Sequence, residues 1–281
     1  MHHATLTGTS YGKSRIRLVR LMRHDGGDEL RDFTVAIAFQ GSYDTSYTDG
    51  DNRDVLPTDT MKNTVYALAA RDGVGEPEAF GTLLGRHFIE RNPKLTRIQV
   101  DLIDHAWGGI TVGGRAHGHA FVRRGPETRT ARVVTGRDRV SIAAGVADLV
   151  IMKTSHSAFE GYPRDEFTTL PETKDRLFAT SMTASWTYAD GEVEYGSTHR
   201  SVRTALLEAF AEHDSRSVQH TLYAMGQRVL DSIAVVQSIS LEMPNRHHLP
   251  IDLARLGLEN RNEVFVATEE PHGLIKATLS R

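Results

Sequence analysis

Apolar and polar positions alternate from Phe33 to Gln40: Phe33, Val35, Ile37 and Phe39 interleave with Thr34, Ala36, Ala38 and Gln40. That period of two predicts a strand with one buried face. Arg15 to Arg23, with Ile16, Leu18, Val19 and Leu21 among arginines, predicts a second strand before it. A turn-rich loop covers Gly41 to Leu56. The period then lengthens: Met61, Val65 and Leu68 fall one helical turn apart, up to Asp72-Gly73. Another helix opens at Glu76-Pro77, with proline in its first turn, carries Phe80, Leu83, Leu84, His87 and Phe88, and stops at Asn92-Pro93. Strands return at Ile98 to Leu102, His119 to Arg123 and Ala131 to Val134.

The second half repeats this order without residue-level identity. Leu149 to Met152 and Ser181 to Tyr188 read as strands. One helix carries Val202, Leu206, Ala209 and Phe210, and the next runs from Ser217 through Val218, Leu222, Met225, Val229 and Val236. Ile239 to Met243 and Val264 to Ala267 are strands again. The expectation is an α+β chain of two tandem ββααββ modules, residues 1–138 and 139–281. Each module should be an antiparallel sheet with helices on one face. The polar face of each sheet must meet water, a ligand or another subunit, and open strand edges favour an oligomer that closes them.

Composition narrows the chemistry. The chain has 281 residues, 39% of them hydrophobic and 25% charged, with a net charge of −3. Such a chain is globular in type and has no global basic field to recruit nucleic acid or an acidic membrane. Cysteine is absent, which excludes disulfides, thiolate metal sites and a cysteine nucleophile. No stretch approaches the roughly 18 apolar residues of a membrane helix, and Met1 to Lys13 is polar. A cytoplasmic location is expected.

Gly8-Thr9-Ser10-Tyr11-Gly12 matches the hydrolase nucleophile elbow, which needs a strand before it and a helix after it; here a strand follows. Arg15, Arg17, Arg20 and Arg23 form a basic run that reads as a solvated or interfacial strand face. Fourteen histidines raise a metal reading. His117 and His119 would share one face of a strand, but a zinc site needs a third ligand such as His105. Adjacent His247 and His248 would point to opposite faces.

One set of segments remains. It runs through Tyr11-Gly12-Lys13, Thr45-Ser46-Tyr47-Thr48, Pro57-Thr58-Asp59-Thr60, His87-Phe88-Ile89-Glu90, Ser157-Ala158-Phe159, Arg164-Asp165-Glu166-Phe167-Thr168-Thr169-Leu170, Asp175-Arg176, Ser217-Val218-Gln219, Pro244-Asn245-Arg246-His247 and Gly273-Leu274-Ile275-Lys276. Together, and in this order, they resemble the urate oxidase (uricase) family of the tunnelling-fold group. Glu160 stands where that pattern leads one to expect an aromatic residue, and Ala106 where a larger basic one is expected.

The resemblance implies a homotetramer whose paired sheets close into a barrel, with active sites at subunit interfaces. It implies cofactor-free oxidation of urate by dioxygen to 5-hydroxyisourate and hydrogen peroxide, with no metal. Lys13, Thr58 and His247 are then a proton-relay triad. Thr58, Asp59, Phe159, Leu170, Arg176, Val218, Gln219, Asn245 and Ile275 are the substrate-binding set. Asn245 also holds dioxygen. These roles suit the residue types. Arg176 offers a planar fork to one edge of an anionic purine, Gln219 a donor and an acceptor to the other, and Phe159 a stacking face. Read without the resemblance, Arg176 pairs with Asp175 or Glu172, and Thr58 caps its helix. Phe159, Val218, Leu170 and Ile275 then pack in the core. Two other classes stay open: a zinc-dependent pterin or cyclohydrolase type of tunnelling-fold enzyme, and a non-catalytic purine-binding protein.

Overall fold

The computed structural model describes residues 4–268 and 270–281, so the first three residues of the polar N-terminal stretch lie outside it. The chain divides into two compact units, Met1–Ala144 and Gly145–Arg281.

In the first unit, β1 (Tyr11–Met22) pairs antiparallel with β2 (Glu29–Gly41). A short α1 (Asp44–Thr48), α2 (Thr58–Asp72) and α3 (Pro77–Arg91) follow. Then come β3 (Leu95–Asp104), β4 (Trp107–Val112), β5 (Arg115–Arg123) and β6 (Thr128–Gly136). The main sheet runs β1-β2-β3-β6. The expected strand at His119–Arg123 does not join it: β5 forms a separate ribbon with β4. Phe33, Val35, Ile37 and Phe39 are all buried, while the alternating Thr34, Ala36 and Ala38 are partly open. The period of two therefore reported one face buried beneath helices. Met61, Val65, Leu68, Phe80, Leu84 and Phe88 from α2 and α3 join that same core.

The chain crosses the unit boundary in β7 (Val140–Lys153), which is far longer than the apolar stretch Leu149–Met152. The second unit continues with β8 (Phe178–Tyr188), α4 (Tyr195–Glu212), α5 (Val218–Ser232) and β9 (Val236–Arg246). It ends with β10 (His248–Pro250), β11 (Phe265–Ala267) and β12 (Gly273–Ser280). The sheet order is β7-β8-β9-β12, and β10 pairs with β11 as a ribbon. Val236 opens β9 and is not the last turn of α5. The helix stops at Ser232, Ile233 leaves helical geometry at φ −128° and ψ 89°, and Val236 is buried at the start of the sheet strand. Met182, Ala184 and Trp186 are buried, whereas Thr183, Ser185 and Thr187 face out. That outer face carries cross-strand hydroxyl pairs, Thr187 with Ser238 and Ser240 with Thr278, each 2.7 Å apart. Lys276 Nζ sits 2.7 Å from Glu242 beside them.

Both units are thus mixed α+β with antiparallel sheets. In each, the outermost strand pairs on one side alone among the described residues, β1 with β2 and β12 with β9. No helix among the described residues is long and apolar enough to cross a membrane.

Candidate active site

The first group of candidate residues is built by β1 and the start of α2. Lys13 pairs with Ile37, and the register then shifts before Ile16. Arg15 sits in the left-handed region, at φ 57°, inside that bulge. A bulge bends its strand and re-aims the side chains beside it. Gly12 is needed for the approach: a Cβ there would stand 1.8 Å from the carbonyl oxygen of Ile37. Tyr11, one residue earlier, lies edge-on to Phe39 and Tyr43. Its hydroxyl accepts the backbone N–H of Leu56 at 3.1 Å, which fixes the segment leading into α2 directly beside the lysine strand.

Thr58 is the first residue of that helix and is half-buried. It does not cap it. Pro57 occupies the capping position, and no side chain caps the helix. Pro57, with φ fixed by its ring, holds the chain extended there. Asp59 is exposed and pairs with Lys62, and it accepts from Asn63 Nδ2 at 2.9 Å. Its carboxyl is held below the ordinary carboxylate value by the hydrogen bond and charge of Lys62, with smaller contributions from Asn63 and from the charge of Lys13. The lysine of β1 and the first turn of α2 thus share one electrostatic neighbourhood.

The second group is assembled by backbone crossings that join three segments distant in sequence. Phe159 exchanges both backbone hydrogen bonds with Thr173, at 2.8 and 3.1 Å. Ala158 N–H donates to the Ser215 carbonyl at 2.7 Å, and Ser157 N–H donates to Asp175 at 3.2 Å. Phe159 is therefore tied both to the segment that delivers Arg176 and to the segment that opens α5. Ser217 caps α5, its hydroxyl accepting from His220 N–H, which places Val218 and Gln219 in the first turn. Backbone N–H groups and the positive dipole end favour an anion there. Val218 is buried, and Gln219 is exposed.

Arg176 departs most from its ordinary reading. Asp175 is engaged by Ser157, and Glu172 accepts from Gly161 N–H at 2.9 Å. Among the described residues no carboxylate pairs with Arg176, and its Nε is buried without a partner. Its guanidinium carbon lies 5.2 Å from the centre of the Phe159 ring. Burial pushes its pKa down, with no countering charge. A partly desolvated cation that lacks a carboxylate beside an aromatic face gains most when an anion completes it. Phe159 is likewise not core: it is half-buried and stacked on Tyr162, with centroids 4.8 Å apart and planes at 15°. Leu170 is 48% exposed, so it too lies outside the core.

Asn245 on β9 and Ile275 on β12 both flank Gly273. Asn245 pairs with Gly273, and a Cβ on Gly273 would stand 3.9 Å from the Asn245 Cβ and 3.8 Å from Ile275 Cδ1. Ile275 is half-buried, not core. His247 follows β9, and its carbonyl accepts from the Thr268 N–H at 2.9 Å. Its imidazole is pushed below the ordinary 6.5 by burial first, then by the charges of Arg176 and His272. The neutral ring is thus favoured in the fold, whereas the unfolded chain takes up the proton at the ordinary value. This group's contribution to stability is complete above pH 6.5 and is lost as pH falls through the lower folded value. In an NMR titration of the wild-type protein the His247 ring signals should shift with a midpoint below 6.5. Arg176→Ala, by removing a cationic neighbour, should move that midpoint upward. A wild-type midpoint above 6.5 would contradict the placement.

The histidines of the metal reading are otherwise engaged. Arg123 donates to His105 Nδ1 at 2.7 Å, so Nε2 carries the proton toward Thr34 Oγ1, also at 2.7 Å. His119 Nδ1 lies 3.3 Å from Asp28. Among the described residues no group of three His, Asp or Glu is placed to hold a metal ion. In the basic run, Arg17 pairs with the buried carboxyl of Asp32, which also accepts from Trp107 Nε1 at 3.0 Å.

Tyr11 and Tyr162 have no place among the candidate residues read from the sequence. Each stands within a few residues of a candidate in sequence, and nothing local shows that either hydroxyl reaches a distant backbone group.

Comparison with known proteins joins these two groups to one family. A family profile described as Uricase matches residues 9–134 and 142–276. The chain is 40% identical to a uricase of Arthrobacter globiformis over 99% of this chain and 92% of that one. It is 38% identical to a uricase of Dictyostelium discoideum over 99% and 98%. The crystal structure of uricase from Arthrobacter globiformis superposes with a TM-score of 0.95, covering 100% of this chain and 96% of that one at 40% identity. Profile and relatives both span the β1–α2 group and the Phe159–Arg176–Gln219 group, and on that ground the chain belongs to the uricase family.

Proposed function

We propose that the protein oxidises urate with dioxygen and water to 5-hydroxyisourate and hydrogen peroxide, without metal or organic cofactor. The observation that carries this reading is Arg176, half-buried, with its buried Nε unpartnered among the described residues, and set over the Phe159 ring. A planar anion satisfies both features at once, with its edge on the guanidinium fork and its face on the ring. Gln219, in the first turn of α5, reads the opposite edge, while Leu170, Val218 and Ile275 wall the pocket.

The chemistry needs a proton relay. Dioxygen is a poor two-electron oxidant of closed-shell molecules. Removing a further proton from urate makes the ring electron-rich enough to give up electrons singly. Lys13, Thr58 and His247 take and pass those protons, with His247 favoured neutral and so able to accept one. Asn245 holds dioxygen, and then water, above the ring. Two electrons leave urate and reduce dioxygen to peroxide, and water supplies the new hydroxyl at C5. Lys13, Thr58 and Asp59 belong to the first unit, and the purine-holding residues to the second. In our reading each site takes the first group from one subunit and the second from its neighbour, within a homotetramer whose sheets close into a barrel of tandem modules. The cysteine-free composition suits the reducing cytoplasm.

Chelator-treated protein mixed with urate in air should consume the urate absorbance and dioxygen together and release peroxide. A stoichiometric metal whose removal abolishes turnover would favour the zinc enzyme instead. Purine binding without turnover would favour the non-catalytic binder.

A further inference from the structure

The loop that leaves backbone pairing at Phe159 and regains it at Thr173 presents the aromatic face of the candidate site. Phe159 itself is half-buried, so no core packing locks its ring. Two interactions of Tyr162 do what the core does not. The Tyr162 ring lies nearly parallel to Phe159, 4.8 Å between centroids and 15° between planes. The Tyr162 hydroxyl donates to the Leu170 carbonyl at 2.6 Å, spanning the loop. Gly161, at φ 73°, turns the chain so that Tyr162 folds back onto Phe159, and its N–H is held by Glu172.

We propose that Tyr162 is a positioning residue for purine binding: it fixes the Phe159 ring by stacking and ties it to Leu170 through its hydroxyl. The inference rests on the urate reading above and deepens it. An aromatic platform that is free to rotate must be ordered when ligand arrives, and that ordering opposes affinity. A platform already clamped escapes this loss. Tyr162 acts through Phe159, so it should govern how tightly a planar purine is held and leave proton transfer at Lys13 and Thr58 alone. Its signature is a change in KM with kcat nearly constant.

The experiment compares wild type, Tyr162→Ala, Tyr162→Phe, Phe159→Leu and the double variant Phe159→Leu/Tyr162→Ala. The probe is xanthine, which has the ring system of urate without the oxygen at C8. Tyr162→Ala should weaken xanthine binding and raise the urate KM by about three- to tenfold, the worth of an aromatic pair, with kcat within about twofold. In the Phe159→Leu background the same replacement should change xanthine affinity by less than about twofold, because the ring it acts through is gone. If Tyr162→Ala does not fold, Tyr162→Phe decides. Losing the hydrogen bond to Leu170 should weaken xanthine about threefold, and unchanged binding overturns the proposal. Tighter or unchanged binding in Tyr162→Ala, or an equal loss in both backgrounds, also overturns it. Wild-type protein that neither oxidises urate nor binds xanthine sinks the urate reading and this inference with it. Wild type that does both, beside variants that bind equally well, overturns this inference alone.

Discussion

Lys13→Met should lower urate turnover by about two to four orders of magnitude, the usual worth of general acid–base catalysis, and leave xanthine affinity nearly unchanged. The expectation comes from where the lysine stands. It pairs with Ile37 just before a bulge, on a strand that Tyr11 fastens to the approach of α2. Methionine keeps most of the length and volume of the side chain but removes the charge and the exchangeable protons. The strand pairing that Gly12 permits is left alone, so the fold should survive. A purine held by Arg176, Phe159 and Gln219 should still bind, since those residues lie in the other unit. Steady-state turnover measured beside equilibrium binding of xanthine separates the two effects. A variant that keeps its turnover and loses affinity would move Lys13 from the proton relay to the binding set.

Co-expressing Lys13→Met with Arg176→Ala should restore activity that neither variant has alone. Arg176→Ala is expected to cost about 2–5 kcal/mol of ligand binding, as when one partner of a desolvated charge pair is removed. If each site draws Lys13 from one chain and Arg176 from its neighbour, a two-fold pair builds two identical composite sites. In a mixed pair one site collects both substitutions and the other collects neither. Random assembly from equal amounts makes half of the pairs mixed, with half of their sites intact. About a quarter of wild-type activity should therefore return, by this symmetry argument. A site built within one chain predicts a dead mixture. Oligomers shown to contain both variants, and still inactive, would refute the shared site.

Most of the scaffold was legible in the sequence. Phe33 to Phe39 and Met182 to Trp186 alternate because one face of each sheet is buried and the other is not. Pro77 and Ser217 marked helix starts because a first turn tolerates proline and rewards a hydroxyl cap. The reading failed where context overrode local pattern. Thr58 looks like a cap, yet Pro57 takes that position. Val236 continues the helical spacing of α5, yet it is buried as the first residue of β9. The strand containing His119 joins a ribbon and not the main sheet. β12 carried no alternation clear enough to be read, since it is an edge strand whose residues are mostly exposed.

The candidate site divides along the same line. The sequence by itself determined which residue types are present, in what order, and that nine or more short segments resemble one family in register. It also determined that no cysteine chemistry is possible. Only the tertiary structure decided that Asp175 and Glu172 are engaged away from Arg176, leaving a half-buried cation beside the Phe159 ring. Only the tertiary structure decided that Ser157–Phe159, Thr173–Asp175 and Ser215 cross, and so bring Phe159, Arg176 and the start of α5 together. The physical reason is range. Periodicity and capping report interactions within a few residues, which each segment satisfies by itself. The partner of a charge, or the ring beside a cation, is set by backbone pairings between segments about 15 to 60 residues apart in the chain. Those pairings depend on the whole fold closing, and no local pattern records them.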